Sequence, residues 1–253
     1  MKTNNQQAAE QLLSNRKAGA IVTPLATELS PKDCEQAFQI QEEVIALRSD
    51  AVAGWKCLLP LDNGNIIAAP IFADTVQSGD KCSLFMDAGK ARVEPEIAFV
   101  LGTDLPARAE GYSADEVDAA IKSCHMALEL MQIRYREFPD ASFFEKLADG
   151  MVNQGLFIGP EIDKSKAYAA SEISITFDQA SGKQEMEGSH PNELPYKPVQ
   201  WMINFMSQRG VSFKAGEAFI TGSYKGIVDV DFNQETAISY AGLGEYKVTF
   251  KEL

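Results

Sequence analysis

The stretch from Arg92 to Leu101 constrains the fold more than any other part of the sequence. It reads Arg-Val-Glu-Pro-Glu-Ile-Ala-Phe-Val-Leu, so it first alternates and then becomes continuously apolar. Because side chains alternate across a strand, Glu94 and Glu96 should share one face, about 7 Å apart. The β-branched and aromatic residues after them favour burial. Two carboxylates on a strand that enters a core need pairing, protonation or a metal ion; a solvated outer face is the alternative, which the spacing alone leaves open.

Two further charged residues stand in apolar surroundings. Lys56 lies in a short strand predicted over residues 54–59, and Glu129 lies in the apolar run 126–131. Burial disfavours the charge of a lysine, so Lys56 is either a functional residue or extends its ammonium group to the surface. The run around Glu129 either ends the helix before it or forms the next strand. Asp74 ends another apolar stretch, and by itself it is typical of a turn.

Composition narrows the classes of function. The net charge is −13, which disfavours a nucleic-acid partner because such binding depends on neutralising phosphates. No apolar run approaches the roughly 20 residues of a membrane span, and the first residues contain no apolar signal core. Four cysteines without a C-x-x-C pair are typical of reduced thiols, so we expect a cytoplasmic protein. Because the sequence contains only two histidines, a histidine-rich metal site is excluded. Any bound metal should therefore be a hard ion on oxygen ligands, such as Mg²⁺ or Mn²⁺.

Periodicity predicts an α+β fold. Helical patterns occur over residues 4–16, from a cap at Ser30 to about Ser49, from Ser113 with an apolar stripe to Cys124, and over 197–209. Strand patterns fill most of the remainder, including a hairpin arm at 173–177 and the tail from 218 to 250. We interpret this as a helical N-terminal portion, residues 1–80, packed on a β-rich catalytic body, residues 81–253, in one compact unit. Residues 137–150 are interpreted as irregular, either a lid or a packed connection.

Several short motifs carry a family resemblance. In chain order they are Ala37-Phe38-Gln39-Ile40-Gln41, Gly54-Trp55-Lys56, Phe72-Ala73-Asp74, the stretch 92–101, Ala127-Leu128-Glu129, Arg134, Ala148-Asp149, His190-Pro191 and Ile220-Thr221-Gly222-Ser223. The specific part is the Glu-x-Glu strand followed by a third glutamate. From about residue 17 to its end, the chain resembles the fumarylacetoacetate hydrolase superfamily, and within it the branch of 2-hydroxypenta-2,4-dienoate hydratases and 4-oxalocrotonate decarboxylases.

The resemblance implies a fold and a set of site residues. The fold is a mixed β-roll of the fumarylacetoacetate hydrolase C-terminal-domain type. One divalent cation, Mg²⁺ or Mn²⁺, is expected on Glu94, Glu96 and Glu129. Lys56 and Asp74 are the implied acid–base pair. The implied substrate-binding residues are Arg134, Thr221, Ser223 and Lys225.

The resemblance also implies a reaction class. It is a metal-dependent lyase that acts on a small unsaturated 2-oxo or 2-hydroxydienoic acid through a metal-stabilised enolate, and hydration is the expected outcome. Decarboxylation of a 2-oxo diacid and hydrolysis of an acylpyruvate are alternatives within enzymes. Hydrolysis is disfavoured because His125, in the predicted helix stripe, and His190, in a loop, do not match a water-activating base. A non-catalytic assembly partner is the alternative of another class. Relatives form homo-oligomers and can associate with a partner enzyme of the same pathway.

Three segments depart from the branch pattern and leave the substrate open. They follow Lys56, Asp149 and Ser223, and all three are expected to line the pocket without holding the metal. Lys225, in the last of them, either meets a second substrate carboxylate or is an exposed turn lysine.

Overall fold

The computed structural model describes residues 1–16, 21–136 and 140–253. The α-helices of these residues are α1 Asn4–Asn15, α2 Cys34–Leu47, α3 Ala114–Ala120, α4 Phe143–Ala148, α5 Lys164–Ala169 and α6 Lys197–Ser207. The strands before residue 150 are β1 Val52–Cys57, β2 Ala68–Phe72, β3 Val76–Ser78, β4 Lys81–Leu84, β5 Ala91–Leu101 and β6 Ile121–Met131. Those after it are β7 Asn153–Ile162, β8 Glu172–Gln179, β9 Gly182–Ser189, β10 Ala218–Ile220, β11 Val228–Val230, β12 Glu235–Tyr240 and β13 Gly244–Glu252.

Two mixed sheets form the body. The larger has eight strands in the order β2-β1-β10-β5-β6-β7-β3, with β11 also paired to β5. The smaller has five strands in the order β4-β13-β12-β8-β9. The pairs β1–β10, β3–β7 and β4–β13 are parallel and the other pairs are antiparallel. The predicted α+β class, with a mixed sheet that curls into a roll, is confirmed.

The large sheet continues across residue 80. Strands β1, β2 and β3 come from residues 1–80 and lie in the same sheet as β5, β6 and β7. Side chains of α1 and α2, such as Leu12 and Phe38, belong to the same buried cluster as Phe99 and Phe219 of the sheet. The N-terminal portion and the β-rich body therefore share one core.

The register of β5 against its neighbours positions the polar residues of the core. Strand β5 pairs with β6 along almost its whole length, and Glu94 lies directly opposite Glu129. On the other side of β5 lies β10, which is parallel to β1. A Cβ at Gly54 of β1 would come within 2.6 Å of the carbonyl oxygen of Ala218 on β10, so only glycine permits this approach. The pairing brings Lys56 of β1 into the row of strands that carries the glutamates.

Two predicted helix boundaries are wrong. Helix α2 begins at Cys34, because the side chain of Asp33 caps it by accepting from the backbone N–H of Gln36 at 2.8 Å. The N–H of Ser30 instead donates to Ala26 in a preceding turn. Helix α3 ends at Ala120, so the predicted stripe does not continue to Cys124. The residues from Ile121 onward pair with β5 and β7, and this pairing outweighs a helical spacing.

The segment 137–150 differs in part from its interpretation as irregular. Residues 143–148 form helix α4, which Ser142 caps by accepting from the backbone N–H of Glu145. Residues 137–139 lie outside the described residues, so the interpretation as a lid or a packed connection stays a prediction there. The predicted hairpin is confirmed as β8 and β9. Within the described ranges, no helix combines the length and apolar character that a membrane span requires.

Candidate metal centre and substrate cavity

Three glutamates of neighbouring strands meet in the large sheet. Glu94 and Glu96 lie on one face of β5, and Glu129 of β6 lies opposite Glu94. A carboxylate oxygen of each residue lies within 4.8 Å of one from each of the others. Glu96 and Glu129 are only 2 % and 1 % exposed, and Glu94 is half-buried. The three side chains therefore converge, and their role as metal ligands stays a prediction.

Polar groups from other segments surround the carboxylates. The Lys56 Nζ donates to Glu129 Oε1 at 2.5 Å, and the Asn153 Nδ2 donates to the same oxygen at 2.8 Å. The backbone N–H of Gly222 donates to Glu96 Oε2 at 2.6 Å. Lys56 thus does not extend to the surface, because its ammonium group is directed into the cluster.

The electrostatics of the cluster fit a divalent cation. Burial, and then the neighbouring Glu129, raises the pKa of Glu94 to about 7 and raises the pKa of Glu96 well above its ordinary value. Burial acts to lower the pKa of Lys56, but the three carboxylates, Glu129 foremost, outweigh it and the net direction is upward. When all three carboxylates are ionised, as ligands of a metal ion would be, they and the Lys56 ammonium group leave two formal negative charges in a buried space. A hard ion with two positive charges on oxygen ligands would neutralise them.

A cavity of about 470 Å³ opens beside the cluster. The residues that line it are Lys56, Cys57, Leu58, Ile67, Glu94, Glu96, Glu129, Met131, Ile133, Met151, Val152, Pro191, Gly222, Ser223, Gly226 and Ile227. Apart from the charged cluster and Ser223, this lining is formed by apolar side chains, the thiol of Cys57 and two glycines. The cavity can hold a small acid with its polar groups near the glutamates.

Five of the nine predicted site residues line the cavity: Lys56, Glu94, Glu96, Glu129 and Ser223. Asp74 does not. It lies exposed in a single turn of 3-10 helix, residues 73–75, where its backbone N–H donates to the carboxylate of Asp50 at 2.9 Å. Lys225 is also exposed, and its Nζ donates to the carbonyl of Glu187 at 3.4 Å. The structure therefore leaves the predicted catalytic aspartate and the predicted lysine of the substrate site outside the lining.

Arg134 and Thr221 are buried behind the lining, each 1 % exposed. The Arg134 Nε donates to Asp149 Oδ2 at 2.6 Å, and another guanidinium nitrogen donates to the carbonyl of Asn153 at 3.1 Å. The Thr221 hydroxyl lies 3.3 Å from Nε2 of His190. Arg134 thereby holds Asn153, which itself bonds to Glu129. Thr221 in the same way contacts His190.

The sequence does not predict that Asn153 contacts Glu129 or that Met131 and Ile133 line the cavity, although the segment after Asp149 is expected to line it. A signal was present for the two apolar residues: Met131 lies two residues after Glu129, and Ile133 two further, a spacing that places all three on one face of an extended chain. Asn153 and Met151 lie in the segment after Asp149 that departs from the branch pattern. Their contacts depend on the pairing of β6 with β7, which spacing along the chain does not reveal.

His190 is a buried neutral histidine beside the site. Its Nδ1 accepts from the backbone N–H of Asn192 at 3.1 Å, which directs the Nε2 proton towards Thr221. Its ring also lies edge-on against Tyr224. Burial lowers the pKa of His190 from 6.5 to about 4. The imidazole therefore remains uncharged over the range in which an exposed histidine gains a proton.

We predict that replacing Glu96 weakens Mg²⁺ binding without unfolding the protein. Glu96→Gln removes one of three converging carboxylates, while the amide oxygen can still accept from Gly222, so we expect affinity for Mg²⁺ to fall at least tenfold, by about 1.4 kcal/mol. Titration calorimetry measures the affinity, and circular dichroism measures the fold. The matched control is Glu217→Gln, which removes the charge of another buried glutamate, one that accepts from Trp55 Nε1. Equal Mg²⁺ affinity in wild type and Glu96→Gln would contradict the ligand assignment.

We also predict that His190 contributes to acid sensitivity. The unfolded chain takes up a proton at this residue near pH 6.5, and the folded chain only near pH 4. The stability that the neutral histidine contributes is therefore fully present above pH 6.5 and is lost as the pH falls from 6.5 towards 4. Between pH 7 and pH 5, the free energy of unfolding in urea should fall by about 1–2 kcal/mol more for the wild type than for His190→Asn. The amide oxygen of this asparagine can replace Nδ1 as the acceptor. An equal fall in the free energy of unfolding for the two proteins would contradict this role of His190.

Comparisons with known proteins show which proteins the chain resembles. The family model described as fumarylacetoacetate (FAA) hydrolase C-terminal matches residues 66–251, which is more than half of the chain. A TodF product hydratase of Pseudomonas putida is 24 % identical over 261 residues, covering 96 % of this chain and 94 % of the relative. A 2-hydroxyhexa-2,4-dienoate hydratase of Comamonas testosteroni is 25 % identical over 269 residues, covering 100 % and 98 %.

A solved structure shares the whole fold. The 4-oxalocrotonate decarboxylase from Pseudomonas putida G7, complexed with magnesium and adipate, superposes with a TM-score of 0.77 over 99 % of both chains at 18 % identity. This likeness establishes the fold, including the N-terminal helices, and the match to the family model establishes the relationship. The chain belongs to the fumarylacetoacetate hydrolase family.

Proposed function

We propose that this protein is a divalent-metal-dependent hydro-lyase that adds water to a small 2-hydroxydienoic acid. The observation that carries the proposal is the cluster of three glutamates, two buried and one half-buried, with Lys56 at one end of a largely apolar cavity. The two hydratase relatives, which the chain matches over almost its full length, support hydration.

Glu94, Glu96 and Glu129 would hold the cation, Mg²⁺ or Mn²⁺. When bound, it supplies a Lewis acid that stabilises negative charge on the oxygen at C2 of the substrate. The protein contributes the arrangement of the ligands: Asn153 and Lys56 orient Glu129, and the Gly222 N–H orients Glu96. The structural relative with magnesium supports a divalent ion, and the oxygen-only donor set fits both candidates.

Lys56 is the candidate for proton transfer. Its Nζ lies in the cavity lining, where it holds a proton between the Glu129 carboxylate at 2.5 Å and the Met151 carbonyl at 3.5 Å. Hydration requires a proton to reach C5 of the dienol before water adds at C4, and an ammonium group beside the bound acid can deliver it. In this proposal Glu129 is the partner of Lys56. Asp74 has the weaker claim, because it is exposed and outside the lining.

The surrounding side chains would restrict water. Leu58, Met131 and Val152 cover the cavity on several sides, so water enters a limited space beside the polar end. Ser223 is the lining hydroxyl; its oxygen accepts from the N–H of Gly226 at 2.9 Å, which fixes its position against the bound acid. The expectations of a homo-oligomer and of a partner enzyme stay predictions.

The test of the proposed function is turnover with identified products. We expect the purified protein with Mg²⁺ to remove the conjugated absorbance of a 2-hydroxydienoate and to form the 4-hydroxy-2-oxo acid. Carbon dioxide released from a 2-oxo-3-enedioate would instead indicate a decarboxylase, and cleavage of an acylpyruvate would indicate a hydrolase. Absence of turnover across this panel, together with absence of Mg²⁺ binding, would contradict the whole assignment and favour the non-catalytic assembly partner.

We predict that Lys56→Met lowers kcat about 10²–10⁴-fold, the usual range for loss of a general acid. Mg²⁺ affinity should be retained or increased, because the variant removes a positive charge beside the carboxylates. Lys247→Met is the matched control; this lysine is exposed and bonded to Glu235. Asp74→Asn, measured in parallel, decides whether the exposed aspartate takes part. A kcat of Lys56→Met equal to that of the control would contradict the role of Lys56.

A further inference from the structure

The cavity has an apolar side that begins beside the glutamates. Met131 lies two residues after Glu129, so its side chain follows on the same face of β6, about 7 Å along the strand. Ile133 continues this row beyond the end of the strand and also lines the cavity. A ligand whose polar end lies at the carboxylates therefore meets hydrocarbon along this wall.

The neighbouring wall, which follows α4 and leads into β7, is a strained segment. Gly150, Met151 and Val152 have φ values of 75°, 53° and 60°, so all three occupy the left-handed region. A β-branched residue such as valine rarely adopts this conformation. Several backbone hydrogen bonds hold it; among them, the Met151 N–H donates to the Lys146 carbonyl, and the Gln132 N–H donates to the Val152 carbonyl. The segment presents the side chains of Met151 and Val152 to the cavity.

Among the described residues that line the cavity, Lys56 is the only basic side chain, and it is bonded to Glu129. Arg134 and Arg16 lie behind the wall of residues 150–152, and both are paired with Asp149. An anion at the far end would therefore lose its hydration without gaining an ion pair.

The charged groups beside Ile133 are already paired. The backbone N–H of Ile133 donates to the carboxylate of Asp87 at 2.6 Å. Arg92 pairs with Asp87 at 3.4 Å and with Asp229 at 3.0 Å. Arg92 is therefore already paired with two carboxylates and is not free to bind a second substrate anion.

We propose that the substrate carries an uncharged, apolar tail at the end opposite its 2-oxo carboxylate, and that Met151 and Val152 select this tail. The inference rests on the proposed function, because it takes the carboxylate cluster as the site of the acid end. It specifies an alkyl- or aryl-substituted 2-hydroxydienoate and excludes dicarboxylic substrates. Lys225 then has no second substrate carboxylate to meet.

Binding of two unreactive acids tests the proposal directly. With Mg²⁺ present, 2-oxohexanoate and 2-oxohexanedioate have the same chain length and differ only in a terminal methyl or carboxylate group. Titration calorimetry should give at least tenfold tighter binding of the monoacid, since the diacid buries an unpaired charge. Equal or tighter binding of the diacid overturns the proposal, and so does binding of neither acid.

Variants of the strained wall test which residues select the tail. Met151→Lys places a cation in the lining and should shift the binding ratio at least tenfold towards the diacid. Leu47→Lys, which adds the same charge at a residue 45 % exposed at the end of α2, should leave the ratio unchanged. If Met151→Lys does not fold, Val152→Asn replaces it, because asparagine tolerates positive φ and its amide can donate to a carboxylate. An unchanged ratio in a folded wall variant overturns the role of these residues.

The two proposals fail in different ways. Selective binding of the monoacid without turnover of any 2-hydroxydienoate contradicts the proposed function and leaves the assignment of the tail intact. Turnover with equal kcat/KM for substrates that end in methyl and in carboxylate contradicts the assignment of the tail alone.

Discussion

The concentration of three carboxylates in a buried space is the constraint on which the rest of the structure depends. Pairing of β5 with β6 creates it, because the register places Glu94 opposite Glu129. Three different segments relieve it: β1 supplies the ammonium group of Lys56, β7 supplies the amide of Asn153, and the loop after β10 supplies the N–H of Gly222. The strand order of the large sheet brings these segments to the same place, so the topology and the electrostatics of the site have one explanation.

A second layer of interactions keeps those segments in position. Arg134 and Asp149, both buried, tie the end of α4 to the start of β7, which carries Asn153. From the other side, Tyr240 of the small sheet donates its hydroxyl to the carbonyl of Ala127, two residues before Glu129. The glutamate cluster is thus fixed both by its own sheet and by the one packed beside it, which supports the proposal that it binds an ion of defined size.

The sequence predicts the parts of the site that depend on local periodicity. Alternation places Glu94 and Glu96 on one face, and an apolar setting identifies Glu129 and Lys56 as unusual. It does not predict their contact, because the 2.5 Å bond joins residues 73 positions apart through strand pairing. The sequence also does not predict the position of Asp74. An acid at the end of an apolar strand can turn towards the core or the solvent, and sequence spacing does not determine which. Arg134 was expected to bind substrate, but Asp149, 15 residues later, already accepts from it.

The left-handed conformation of residues 150–152 has a consequence for how related enzymes can diverge. This wall of the cavity contributes none of the three glutamates, so its side chains can change while the glutamate cluster keeps its geometry. The backbone limits the choice, since glycine and asparagine adopt positive φ readily and β-branched residues do so at a cost. Val152 is therefore a residue whose replacement could release strain and reshape the cavity in one step. New substrate preferences can arise here by single substitutions without passing through an unstable intermediate.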